Sequence, residues 1–145
     1  MQDPETLATV ASIIAGFGIA ALVFRLQREI RMIELGEIVW LPWADWLIIS
    51  ATSLSLLLGV LPLVAVPKSP LAIAVSAAAC TGASVMLLGY PFSILAHYRI
   101  GLGRGRTGPR VNPEPLERIL VITTGVLAVV GVLASFAMLA SLSTS

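Results

Sequence analysis

The chain has 145 residues, of which 57% are hydrophobic and 12% charged, with a net charge of +1. Soluble domains carry about 25% charged residues, so half that share, with a mean hydropathy of +0.96, excludes an ordinary water-exposed surface. The near-neutral balance excludes a general attraction for nucleic acid, and the lone Cys80 excludes an internal disulfide.

Four stretches contain no Asp, Glu, Lys or Arg: 7–24, 46–66, 71–95 and 119–142. A helix needs roughly 20 apolar residues to cross a hydrocarbon core of about 30 Å, and each stretch has about that length. The expected fold is an all-α polytopic membrane protein, one transmembrane domain over 1–145, with its spans in a four-helix up-down-up-down bundle. The lead-in Met1, Gln2, Asp3, Pro4 and Glu5 is acidic, unlike the basic start of a cleavable signal peptide. Asp3 or Thr6 is suited to cap the first helix, with Pro4 and Glu5 in its first turn.

Helical pattern continues past the first span. Over 25–36, Leu26, Ile30 and Ile33 share a face, and the spacing predicts pairs between Arg25 and Glu29 and between Arg31 and Glu34, worth ~0.2–0.5 kcal/mol each. Gly36 is the expected terminator of this extension. Trp40, Trp43 and Trp46 then surround Pro42 just before the second span. Indole rings favour the bilayer interface, where an apolar ring and a polar N–H are both accommodated. These residues, with Tyr90 and Tyr98 at the end of the third span, are the expected interface anchors. Pro42 suits a helix start, and Asp45 suits its positive end.

Pro62, Pro67 and Pro70 punctuate the second connector. Residues 66–70 leave room only for a tight turn, so spans two and three form a hairpin. Pro91 lies inside span three and removes one backbone bond, which predicts a bend near Leu87. The stretch 99–117 begins with a Gly/Arg-rich segment without apolar periodicity and is expected to form a loop. Its Arg99, Arg104, Arg106 and Arg110 are candidates for contact with anionic headgroups or a partner. Asn112, Pro113 and Glu114 then supply a cap, a first-position proline and a first-turn acid for the last helix.

Eight of the nine basic residues fall in two connectors, after spans one and three, and only Lys68 lies on the opposite side. Short basic loops stay in the cytoplasm. This asymmetry predicts both termini outside and loops 25–44 and 97–118 inside, in a membrane of the prokaryotic cytoplasmic type.

Small residues recur every four positions on each span: Ser12, Gly16 and Ala20; Ala51, Ser55 and Gly59; Ser76, Cys80 and Ser84, beside Ala78 and Gly82; Gly131 and Ser135. Such rows let helix backbones approach closely, and packing holds helices together in lipid. Span three carries two rows on different faces, which places it centrally or against a second protein. Ser50, Ser53 and Ser76 are candidates to line a pore, although no continuous polar stripe crosses a span.

No ionisable group lies inside the spans, as ion-coupled transport usually requires. Asp45 and His97 sit at one boundary, without the further His or Cys that a zinc site needs. The motifs HExxH, GxSxG, CxxC and the P-loop are absent from the sequence. No metal or other cofactor and no catalytic residue is expected.

The leading expectation is a small non-catalytic membrane protein. It associates with itself or a larger membrane complex through small-residue helix faces, with lipid as its other partner. A homo-oligomeric channel or small-solute transporter is the first alternative. A lipid-modifying enzyme using Asp45, His97 and the arginines is the second.

Overall fold

The structure, a computed structural model, describes residues 3–36, 42–98 and 114–143. Its helices are α1 (Pro4–Glu34), α2 (Asp45–Leu54), α3 (Leu61–Ala65), α4 (Pro70–His97) and α5 (Pro115–Ser143), with a π-helical segment, Ser55–Val60, joining α2 to α3. The rod from Asp45 to Ala65 is one span, so four long apolar helices pack as a membrane bundle.

Local chemistry sets the ends. Asp3 caps α1, accepting from the backbone N–H groups of Glu5 and Thr6 and from the Thr6 hydroxyl at 2.8 Å. Pro4 stands at the first position, where its missing N–H has no cost. The helix runs 31 residues without a break, about 46 Å at 1.5 Å per residue, and so outlasts the hydrocarbon core. It stops at Gly36, whose φ of 74° is a left-handed conformation suited to glycine. The turn between spans two and three closes through Ser69 N–H donating to the Val66 carbonyl at 3.0 Å. Ser69 then caps α4 ahead of Pro70. The last helix opens at Pro115, with Glu117 in its first turn. The expected cap Asn112 and the proline after it lie outside the described residues, and Glu114 directly precedes the helix.

The π segment was not anticipated from the sequence. Pro62 lies inside the span, not in the connector. A proline lacks an N–H and crowds the carbonyl four residues back, here that of Leu58. The helix widens just upstream, where the Leu61 N–H reaches back five residues to the Leu56 carbonyl. The Gly59 carbonyl accepts a hydrogen bond from Ser76 Oγ at 2.7 Å.

The four rods alternate in direction. The late residue Arg25 of α1 meets Asp45 at the start of α2, and Gly59 near the other end of that span faces Ala11. Cys80 lies by Leu7, while the late residue His97 of α4 meets the early Glu117 of α5. The helix α4 is central. One side packs on α1 and the second span, around a core of Ala11, Ile14, Ala51, Cys80 and Ala83. Another packs on α5, which rests chiefly on α4. Apart from Ser84, which lines an open groove, both small-residue faces of span three are occupied within the chain. In lipid, close packing takes the place of hydrophobic association, and the contacts are correspondingly tight. A β-carbon at Gly18 would collide with Thr52, one at Gly89 with Thr124, and one at Gly82 would come within 2.8 Å of Val132.

Candidate functional site

The polar chemistry of the described residues concentrates at one end, where late α1, early α2, late α4 and early α5 meet. Arg25 is 9% exposed and Asp45 3%. Arg25 Nε donates to both Asp45 carboxylate oxygens, at 3.3 and 3.4 Å. Nη1 donates to the Tyr98 hydroxyl at 2.7 Å. Nη2 pairs with Glu29 at 2.9 Å and reaches Asp45 at 3.5 Å. One guanidinium fork thus joins three spans, a geometry that an ammonium group does not reproduce. The guanidinium of Arg28 lies 4.3 Å from the centre of the Tyr98 ring, within cation–π range.

A second pair lies beside the first. Glu117 is fully buried, and its Oε2 is 2.8 Å from His97 Nδ1. Its Oε1 accepts the backbone N–H of Ala44 at 3.1 Å. Ala44 is the N-cap residue of α2 and has no capping side chain of its own. The start of a helix leaves N–H groups unsatisfied, and here a carboxylate from another helix answers one. Asp45 in the first turn adds negative charge where the helix dipole favours it.

Asp45 and His97, both at the expected boundary, therefore belong to neighbouring pairs and not to one pair between themselves. Two residues central to the cluster were missed from the sequence. Arg25 was read as a local partner of Glu29, and that contact is one arm of three. Glu117 went unremarked; its signal was an acid in a first turn bordering a charge-free run. Among the described residues, no three His, Cys, Asp or Glu side chains come together as metal ligands.

The expected packing residues fall in different places. Ala51, Ser55 and Gly59 are buried in the second span, as are Ser76, Ala78, Cys80 and Gly82 in α4. Gly131 faces Thr81 of α4, and Ser135 Oγ donates to Thr81 Oγ1 at 3.1 Å. In α1, by contrast, Ser12, Gly16 and Ala20 face outward, and Gly16 has nothing within 4 Å of a would-be β-carbon. The inward side of α1 is instead Ala11, Ile14, Ala15 and Gly18; Ala11 packs where Gly59 leaves room, and Gly18 leaves room for Thr52. Ser84 lines a groove between α4 and α5.

Of the candidate pore residues, Ser50 and Ser53 are exposed while Ser76 is buried against Gly59, so one chain does not bring them together. Trp43 and Trp46 are exposed, and Tyr90 and Tyr98 are half-buried. Trp40, Arg99, Arg104, Arg106 and Arg110 lie outside the described residues. Compared with protein-family models, curated proteins and solved structures, the chain shows no match.

Proposed function

We propose that this four-span protein is a non-catalytic component of a membrane assembly, joined to another copy of itself or to a different membrane polypeptide through the outer face of α1. The observation that carries this reading is the outward row of Ser12, Gly16 and Ala20, with open space around Gly16. The small-residue rows of the second span and, apart from Ser84, of α4 are taken up inside the bundle, and that of α5 lies against α4. This one is flanked by exposed Ile13, Phe17 and Phe24, a surface on which a neighbouring helix packs closely. The ionic cluster supports the non-catalytic part, because its acids and bases are engaged with one another and with a helix end.

In the same reading the arginine-bearing end faces the cytoplasm. Arg28 and Arg118 are exposed there, Arg118 lying 6.0 Å from the Trp43 ring. With Arg99, Arg104, Arg106 and Arg110, they offer charge to anionic headgroups at about 1 kcal/mol each.

Crosslinking in native membranes tests the assembly. Cysteine placed at Ser12, in a Cys80→Ser background, is expected to capture one specific neighbour, and adding Gly16→Leu to abolish that capture while the bundle stays folded. A lone monomer at native abundance, or capture unaffected by Gly16→Leu, overturns the reading. Cysteine at position 106 tests the orientation, and labelling from the outer face of intact cells counts against it.

A further inference from the structure

The stretch 25–34 of α1 stands beyond the hydrocarbon yet keeps an apolar edge. The charge-free part of the helix, 7–24, is about 27 Å long at 1.5 Å per residue, close to a hydrocarbon core of about 30 Å. Arg25 therefore marks the boundary. Ile30 lies about 7–8 Å and Ile33 about 12 Å further along the axis, against roughly 5–8 Å for the headgroup layer on one side. Acyl chains end below both. Leu26, Ile30 and Ile33 are nevertheless 59%, 55% and 63% exposed. An apolar row held up in water marks a surface that another protein covers.

The row is part of a heptad seam. Ile19, Val23, Leu26, Ile30 and Ile33 follow one another at alternating intervals of four and three, and all five are exposed. Carried back into the membrane, the same rhythm reaches Gly16 and Ser12, which also face outward. A helix whose contact residues repeat in this way packs along a second helix, knobs into holes. We infer that α1 pairs in register with α1 of a second copy of this chain, along a seam running from Ser12 inside the membrane to Ile33 outside it. The inference rests on the outer face of α1 being an assembly surface, and it names the occupant.

Insertion favours a second copy. Two copies inserted the same way round bring their α1 helices parallel and set each residue at the depth of its twin. The small Ser12 and Gly16 then meet their own kind within the lipid, where helices approach closely, and Ile30 and Ile33 meet theirs outside it. Val23 and Ile30 fall at the a positions and Leu26 and Ile33 at d. Parallel coiled coils use β-branched residues at a, with Leu or Ile at d. The flanking charges are Glu29 at g and Glu34 at e, which face each other across the seam. Glu29 is held by Arg25 of its own chain at 2.9 Å, so this like-charge approach is muted.

Oxidation of native membranes containing the full-length protein, in a Cys80→Ser background, tests the pairing. A disulfide needs Cα atoms within about 7 Å. Ile30→Cys or Ile33→Cys is expected to give a disulfide-linked dimer of this chain, and Arg31→Cys, off the seam, none. Added to Ile33→Cys, Ile30→Asp is expected to lower the yield about tenfold, because the seam would bury its charge, and Glu34→Lys to raise it about twofold, because the lysine faces Glu29 of the other copy. All four positions are exposed, so the bundle folds in each variant. Equal yields from Ile30→Cys and Arg31→Cys overturn the inference, as does a yield that Glu34→Lys lowers. Thiol-linked photocrosslinking from Ile33→Cys that reaches residues 99–113 of the same chain overturns it too. Capture of a different polypeptide there overturns the pairing and leaves α1 an assembly surface, whereas no capture from either Ile33→Cys or Ser12→Cys removes both.

Discussion

The side chain of Thr124 occupies the space that a β-carbon on Gly89 would need. This contact fixes the depth at which α5 sits against α4, together with the contacts of Gly82 with Val132 and of Thr81 with Gly131. Gly89→Val is expected to cost about 1–3 kcal/mol, as overpacking does, and to loosen α5 selectively. Thr124→Gly in the same chain should recover part of the loss. Gly16→Val, with open space around it, should stay within about 0.5 kcal/mol. Thermal unfolding in detergent compares the three.

Arg25 and Asp45 hold opposite charges in a place that excludes water. Removing one partner of a buried pair typically costs ~3–5 kcal/mol because the other charge is stranded, while replacing both with apolar groups is often neutral. Arg25→Met is therefore expected to destabilise strongly, and Arg25→Met with Asp45→Leu to recover most of the loss. Arg25→Lys should fall between, since an ammonium cannot span Asp45, Tyr98 and Glu29 together. A double-mutant cycle on unfolding midpoints measures the coupling.

Glu117 has two tasks that its amide separates. Glu117→Ala leaves both His97 and the Ala44 N–H without this partner, at about 1–3 kcal/mol for each buried group. Glu117→Gln keeps an oxygen for Ala44 and should retain much of the stability. Amide exchange at Ala44 is expected to accelerate in the alanine variant and to change little in the glutamine variant.

At the far end of α1, hydrogen bonds from the Thr6 hydroxyl and backbone hold the Asp3 carboxyl below its ordinary value. A depressed carboxylate stabilises the folded state above its unfolded pKa, and that contribution disappears as pH falls through the lowered folded value. The amides of Glu5 and Thr6 should therefore lose protection on acidification, and Asp3→Asn, which keeps a capping oxygen, should remove that pH dependence. Hydrogen exchange followed from neutral pH downward reports both.

Much of the fold was legible because lipid imposes length and exclusion of charge. The four runs without charge became four spans, and the end signals at Asp3, Pro4 and Gly36 and the tight turn over 66–70 acted where they stand. Side choice was not legible on α1. Ser12 and Gly16 have the same four-residue spacing as Ala11 and Ala15, and only the shapes of Thr52 and Gly59 opposite decide which row turns inward. The ionic cluster was half legible. The Arg25 contact with Glu29 is local and follows from helical spacing. The links from Arg25 to Asp45 and from Glu117 to Ala44 span 20 and 73 residues and exist only once the helices are placed. The π segment was hidden because Pro62 reads equally well as the end of a span or as an interruption inside one.

The Glu117–Ala44 bond also bears on biosynthesis. The ribosome delivers the second span long before the fifth helix, so the start of α2 waits for its carboxylate until position 117, 73 residues later, has been made. A product interrupted before position 117 inserts its first three hydrophobic rods yet keeps a frayed helix start and a histidine without its acid. Closure of this end of the bundle therefore waits for α5, the last of the described helices to be made.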